Sequence, residues 1–214
     1  MISSCSHPIY PRKEITVQMI TKNQKNDIIQ INVKICMTLS LLFTLLFGFN
    51  ANAQKWRGID KSPLDISYMK RDRQSPPIAR VIYSRPHKRD RVIFGQLVPY
   101  GKIWRTGANE SAEITLYQDA SVGGTAVKAG TYTLFTIPQK DKWTLIFSNK
   151  LHQWGAYGHD KSHEVARVEA SVEKAPATIE HFSITFDMTG AQGKMYLGWD
   201  DTVAVVPMSA AKAQ

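Results

Sequence analysis

The sequence predicts an all-β domain, an antiparallel β-sandwich of jelly-roll type, with a closed β-barrel as the alternative. Three observations carry this prediction. Short runs alternate apolar and polar residues, as in Ala112-Glu113-Ile114-Thr115-Leu116 and Phe182-Ser183-Ile184-Thr185-Phe186, which is the period of a half-buried strand. Gly, Pro and Asp punctuate these runs at short intervals. No long stretch carries the 3.6-residue apolar period of an amphipathic helix, and there are no heptads or internal repeats.

The elements follow in order. Of the 214 residues, 1–53 read as a leader. Met37 to Phe49 is an apolar run of signal-peptide length with Lys34 shortly before it, and Ala51-Asn52-Ala53 supplies small residues for cleavage after Ala53. The run is shorter than the roughly 20 residues a membrane span needs, so no stable membrane insertion is expected after cleavage. Cys36 precedes the run rather than following it, which is the wrong side for a lipoprotein signal. Translation starts at Met1 or at Met19. The domain is therefore expected to be exported, to the periplasm or the medium.

Residues 54–77 form a lead-in with few apolar periods, in which Asp65 to Met69 either make a short strand or pack across the domain. A single domain is expected over 78–208. Ile78 to Ser84 reads as a strand, Arg85 to Asp90 as a basic loop and Arg91 to Phe94 as a second short strand. Gly95 ends it, and Val98-Pro99-Tyr100-Gly101 is a β-turn with Pro at the second position and Gly at the fourth. Ile103 and Trp104 are strand formers, and Thr106-Gly107 is a second break.

Ala112 to Leu116 is a clear strand. Val122-Gly123-Gly124-Thr125 is a tight hairpin, and Ala129-Gly130 is a further break. Thr131 to Ile137 is apolar on both faces and reads as a central strand. Gln139 to Lys142 turn the chain into the strand carrying Trp143, Leu145 and Phe147. A long loop spans Leu151 to Lys161. Val165 to Val172 is a strand, Glu173 to Ala177 a turn around Pro176, and Phe182 to Phe186 the next strand. Gly190 to Gly193 turn again into Met195 to Trp199, Asp200-Asp201 reverse the chain, and Val203 to Val206 form the last strand. Residues 209–214 read as a frayed tail.

Composition narrows the chemistry. Both cysteines, Cys5 and Cys36, lie in the leader. The exported part must stand on its core alone, and thiol catalysis, disulfide exchange and cysteine-ligated zinc or iron–sulfur centres are excluded. The leader takes 5 of the 27 Lys and Arg and 2 of the 18 Asp and Glu, leaving 22 against 16. Residues 70–91 alone hold 8 basic and 2 acidic residues, so the whole excess is local. A local excess suits an anionic partner, an acidic glycan or a phosphate-bearing envelope component, or else merely solvates a hairpin. No nucleic-acid signature accompanies it, and no nucleic-acid partner is expected.

The densest stretch in special residues is Phe94 to Glu110, FGQLVPYGKIWRTGANE. Together with Tyr83-Ser84-Arg85-Pro86 before it, GTYTLFTIP at 130–138 and HQWGAYGHD at 152–160 after it, and SPLDISY at 62–68, it resembles the family catalogued as domain of unknown function 2911. The resemblance covers roughly Ser62 to Pro207 and implies an exported bacterial protein. It brings no activity, substrate, cofactor or catalytic residue. The tract Gly158 to Glu164 is richer in histidine than that family's usual pattern, so any role of these histidines would belong to this protein alone.

Candidate site residues come from side-chain chemistry. The fork of Arg105 holds carboxylates in paired hydrogen bonds, so Arg105 either pairs with Glu110 and pins the bend, or faces a ligand together with Trp104, Asn109 and Glu110. Tyr83 and Arg85 share a strand face. Were that face to meet Arg105 and Glu110, a two-arginine pocket for a carboxylate or phosphate group would result. Trp154 and Tyr157 either stack on a ligand such as a sugar ring or seal one end of the sandwich. His159-Asp160 and His163-Glu164 place two histidines four apart, about 13 Å along a strand, and no metal or cofactor site is expected there. There is no nucleophile elbow, P-loop, dinucleotide fingerprint or zinc-protease helix.

Three functions compete. The first is a non-enzymatic cell-envelope binding module for an anionic ligand, using Arg85, Arg105 and the 70–91 segment. The second is a structural or partner-binding domain. The third is a glycan hydrolase or lyase in which Glu110 needs a second carboxyl across a cleft.

Overall fold

The computed structural model describes residues 12–47 and 54–210. The expected cleavage site after Ala53 and residues 211–214 of the tail lie outside them. The chain divides into two compact units, residues 1–57 and 58–214. The first holds one helix, α1 (Arg12–Phe47), exposed on every side over residues 24–43. Thr38 in its last third donates to the carbonyls of Lys34 and Ile35. Among the described residues no helix is long and apolar enough to cross a membrane.

The second unit is all-β. Its strands are β1 (Leu64–Met69), β2 (Ala79–Ser84), β3 (Ala112–Leu116), β4 (Ala120–Val122), β5 (Thr125–Val127), β6 (Gly130–Pro138), β7 (Lys142–Ser148), β8 (Glu164–Thr189) and β9 (Gln192–Ala210). They form one antiparallel sheet in the order β1-β2-β3-β6-β7-β8-β9-β4-β5. The sheet folds over on itself like a sandwich and does not close into the alternative barrel. Its first strands return against the middle of β8. The hydroxyl of Tyr83 donates to the carbonyl of Ile184 at 3.2 Å. Beyond β2, the Phe182 N–H reaches the Pro86 carbonyl and the Lys88 N–H the Glu180 carbonyl. His87 and His181 face each other across this seam with ring centroids 4.0 Å apart.

Alternation puts Val81, Tyr83, Ile114, Leu134, Leu145, Phe147, Phe182 and Ile184 into one core. At one end, Trp143, Trp199, Phe182, Phe94 and Trp104 pack as an aromatic cluster, with Trp104 and Trp199 near parallel at 5.9 Å. Each such ring adds on the order of 2–3 kcal/mol by burial.

Several local expectations are corrected. The turns at Glu173 to Ala177 and at Asp200-Asp201 do not form, and single strands of 26 and 19 residues run through them. The register shifts between Lys174 and Ile179, so Pro176 sits where the ladder is interrupted and its missing N–H leaves no partner unpaired. Asp200 takes φ +57° opposite Ile179, bending β9 rather than reversing it. Arg91 to Phe94 is not a strand. Gly95 (φ +90°) folds this stretch onto itself through Val98 N–H to Ile93 O and Gly95 N–H to Val98 O. Asp65 to Met69 falls within β1, and Ser209 and Ala210 pair with Ser121 and Ala120 in β4.

Candidate functional site

The connection between β2 and β3, residues 85–111, is the longest departure from the ladder among the described residues of the second unit, and it includes the loop leaving β2 and the irregular segment 94–110. Both lie at the aromatic end of the core. Trp104 exchanges two backbone hydrogen bonds with Thr136 of β6, at 2.7 and 2.9 Å, which fixes the segment to the sheet. Thr106 follows in the left-handed region at φ +57°, an outlier for a β-branched residue. It is fully buried, and its hydroxyl bonds that of Thr136 at 3.2 Å. Gly107 comes next at φ +148°, where a Cβ would lie 2.8 Å from the Ser84 carbonyl oxygen. Only glycine lets the segment press this closely onto β2. Arg89 and Asn109 also take positive φ, at 53° and 57°.

These loops wall a cleft of about 520 Å³, within the range of ligand sites. Trp104 and Trp199 lie in its lining. Five cations line it: Lys61, Arg89, Arg91, Lys102 and Arg105. No Asp or Glu is among the lining residues. Clustered cations over a wall of low dielectric concentrate positive potential. The Nε of Arg105 is buried and meets no hydrogen-bond acceptor among the described residues, although such groups are normally satisfied. Its guanidinium carbon lies 5.9 Å from the ring centroid of Trp154, a cation–π distance.

The structure brings together some of the predicted site residues and separates others. Trp104, Arg105, Asn109 and Tyr157 line the cleft; Asn109 also donates to Asp60 at 3.1 Å. Glu110 is exposed and outside the lining, and bridges Trp154 through the backbone. The Arg105–Glu110 pair is not made. The two-arginine pocket is not built either, because the face shared by Tyr83 and Arg85 turns toward β8. Arg85 donates to Asp65 at 2.9 Å, to Ser183 at 2.8 Å and to the Phe182 carbonyl at 3.2 Å. Tyr83 is buried, and burial pushes its phenol pKa up.

Trp154 and Tyr157 do not seal the sandwich. They are 61% and 84% exposed and lie near parallel at 5.9 Å. The sealing is done by Phe94 and Trp104, whose rings pack on Trp143 and Trp199.

The basic 70–91 segment splits up. Arg89 and Arg91 reach the cleft, Lys70 lies over the Tyr68 ring, Arg85 binds Asp65 and Lys88 faces Asp200 at 3.8 Å. Lys61 and Lys102 were missed: Lys61 comes from ahead of β1, and Lys102 lies within the singled-out stretch 94–110 but was not read as a site residue.

The two histidines of the 158–164 tract find separate partners. His159 bonds Glu164 at 2.8 Å and His163 bonds Asn149 at 2.8 Å. Glu164 also receives both arms of the Arg167 fork, which together with His159 hold its carboxyl below the usual range. Among the described residues, no three His, Cys, Asp or Glu side chains converge as a metal site would require.

A family model described as a protein of unknown function (DUF2911) matches residues 70–208. No curated protein and no solved structure matches the chain.

Proposed function

The chain belongs to this family of proteins of unknown function, and since membership carries no activity with it, we propose from the cleft itself a non-enzymatic module that binds an anionic group, a phosphate or the carboxylate of an acidic glycan, in the cell envelope. The observation that carries the reading is the lining: five cations and no carboxylate around about 520 Å³. Lys61, Arg89, Arg91 and Lys102 are exposed at the rim of the cleft and Arg105 is half-buried within it, so the positive field is open to a ligand from solvent. Arg105 contributes a buried Nε without an acceptor, the kind of donor a bound anion satisfies. The envelope location rests on the leader read from the sequence. A glycosidase needs two carboxyls facing one cleft, and neither Glu110 nor any other acid lines this one.

Calorimetric titration with inorganic pyrophosphate and with oligogalacturonate tests the reading. Both are expected to bind, more weakly as salt is raised. Arg105→Ala and Lys102→Ala should each weaken binding about tenfold, as loss of one charge-assisted hydrogen bond does. Affinity indifferent to salt and to both substitutions would overturn it.

A further inference from the structure

Beside the cleft stands a feature that the charge alone does not account for. Trp154 and Tyr157 are both largely exposed, at 61% and 84%, yet they lie near parallel at 5.9 Å. Side by side, the two rings make a contiguous exposed aromatic surface, the feature that marks an interaction site where a single exposed ring would not. Their place is fixed from both sides. Arg105 sits against the Trp154 ring at 5.9 Å while also lining the cleft. Gly155 between them takes φ +69°, and a Cβ there would come within 2.7 Å of the Tyr157 ring. The glycine thus allows the Tyr157 ring to lie over the backbone beside Arg105, and Tyr157 itself lines the cleft.

We infer that this Trp154–Tyr157 ledge and the cationic cleft form one site for an acidic saccharide, its charged group held by Arg105 and its neighbours while an adjoining sugar ring stacks on the aromatic ledge. The inference rests on the anion-binding reading and narrows the ligand class. A free phosphate needs only the cations and leaves the ledge unused. A lipid headgroup would bring acyl chains, which need an apolar surface broader than two stacked rings. A saccharide offers alternating polar groups and flat C–H faces, and so uses both parts. Its uronate, sulfate or phosphate matches the cations, and the amphipathic faces of Trp and Tyr suit a ring that is apolar on one side and wet at its edge. An extended chain is favoured over a single residue because the ledge is open to solvent beyond the cleft. Nucleic acid also combines charge with stacking rings; the exported location expected from the leader directs the choice to a glycan.

The test uses the full chain with four probes: oligogalacturonate, a neutral maltooligosaccharide, inorganic pyrophosphate and an oligothymidylate of matched charge. Oligogalacturonate is expected to bind tightest and to quench tryptophan fluorescence. Tyr157→Ala and Trp154→Ala should weaken it about tenfold and weaken pyrophosphate clearly less, since for pyrophosphate only the contact with Arg105 and one part of the cleft wall are lost. Both positions are exposed, so the variants should melt with the wild type. Gly155→Ala should lower oligogalacturonate affinity as well, by displacing Tyr157. If pyrophosphate binds and responds to Arg105→Ala but the ring variants bind oligogalacturonate normally, the saccharide inference fails and the anion reading stands. Tighter binding of oligothymidylate than of oligogalacturonate also overturns it. If no anionic probe binds, both fall together.

Discussion

Arg105 and Arg85 look alike in the sequence, each beside an aromatic and a turn, and the structure gives them opposite fates. Arg85 is spent inside the fold, tying β1, β2 and β8 together through Asp65, Ser183 and the Phe182 carbonyl. Arg105 keeps a buried Nε without an acceptor. The two should therefore separate in thermal melts. Arg85→Ala should lose about 2 kcal/mol, the scale of hydrogen bonds to a charged group. Arg105→Met, which keeps the stem and removes the unsatisfied Nε donor, should melt at the wild-type temperature or above it, as residues kept at a cost to stability do. A large destabilisation by Arg105→Met would show the side chain to be scaffold.

The common face of Tyr83 and Arg85 was legible, since alternation along a strand dictates it. Which neighbour that face meets was not, because the return of β8 onto β2 pairs residues about a hundred positions apart. Glu110 was misplaced for the same reason: nearness in sequence to Arg105 suggested an ion pair, and the left-handed turns at Thr106 and Asn109 carry it away.

At the scale of elements, most strands were readable from period two and the breaks between them. The misreadings fall where a local signal met a non-local constraint. Pro176 and Asp200-Asp201 are turn formers locally, yet β8 and β9 hold each other in register on both sides and absorb them as irregularities. The junction into β8 supplies a pH test. Glu164 accepts from Arg167 and His159, its side chain only 12% exposed, and its pKa is lowered from the ordinary 4.5. A lowered carboxylate pKa adds stability that is fully present above the ordinary value and is lost as pH falls through the depressed one. Melting temperature of the wild type should therefore fall below about pH 4.5 more steeply than that of Glu164→Gln. Above that pH the variant should be less stable by about 1–3 kcal/mol. Parallel acid limbs for the two proteins would show that Glu164 contributes nothing through its charge.

For the whole molecule, the sequence located the charge excess at residues 70–91, but a linear run became several faces. Only Arg89 and Arg91 of that run reach the cleft, where Lys61, Lys102 and Arg105 join them. Four of the five come from one stretch, residues 89–105 of the connection between β2 and β3, and the fold brings Lys61 to them from ahead of β1; the sequence did not show that this connection curls into a cleft. A ligand that binds only the folded chain raises its stability, by about 2.7 kcal/mol at a hundred times its dissociation constant. Oligogalacturonate at low salt should therefore raise the melting temperature of the wild type, and the rise should vanish at high salt and in Arg105→Ala. A rise of equal size in that variant would place the ligand elsewhere.

The seam at His87 and His181 has a consequence for the life of the chain before it is finished. The wall carrying Arg89 and Arg91 follows directly on residues held by the far strands: the Phe182 N–H donates to the Pro86 carbonyl, the Lys88 N–H to the Glu180 carbonyl, and Lys88 faces Asp200. Nearly a hundred residues separate the two sides, and contacts of such separation form late. A ribosome that has released residues 54–160 has therefore released a chain with most of its cations and both ledge aromatics, but without Trp199 and the β8 partners that complete the cleft. On the anion-binding reading, competence to bind would arrive only when the far strands emerge and dock.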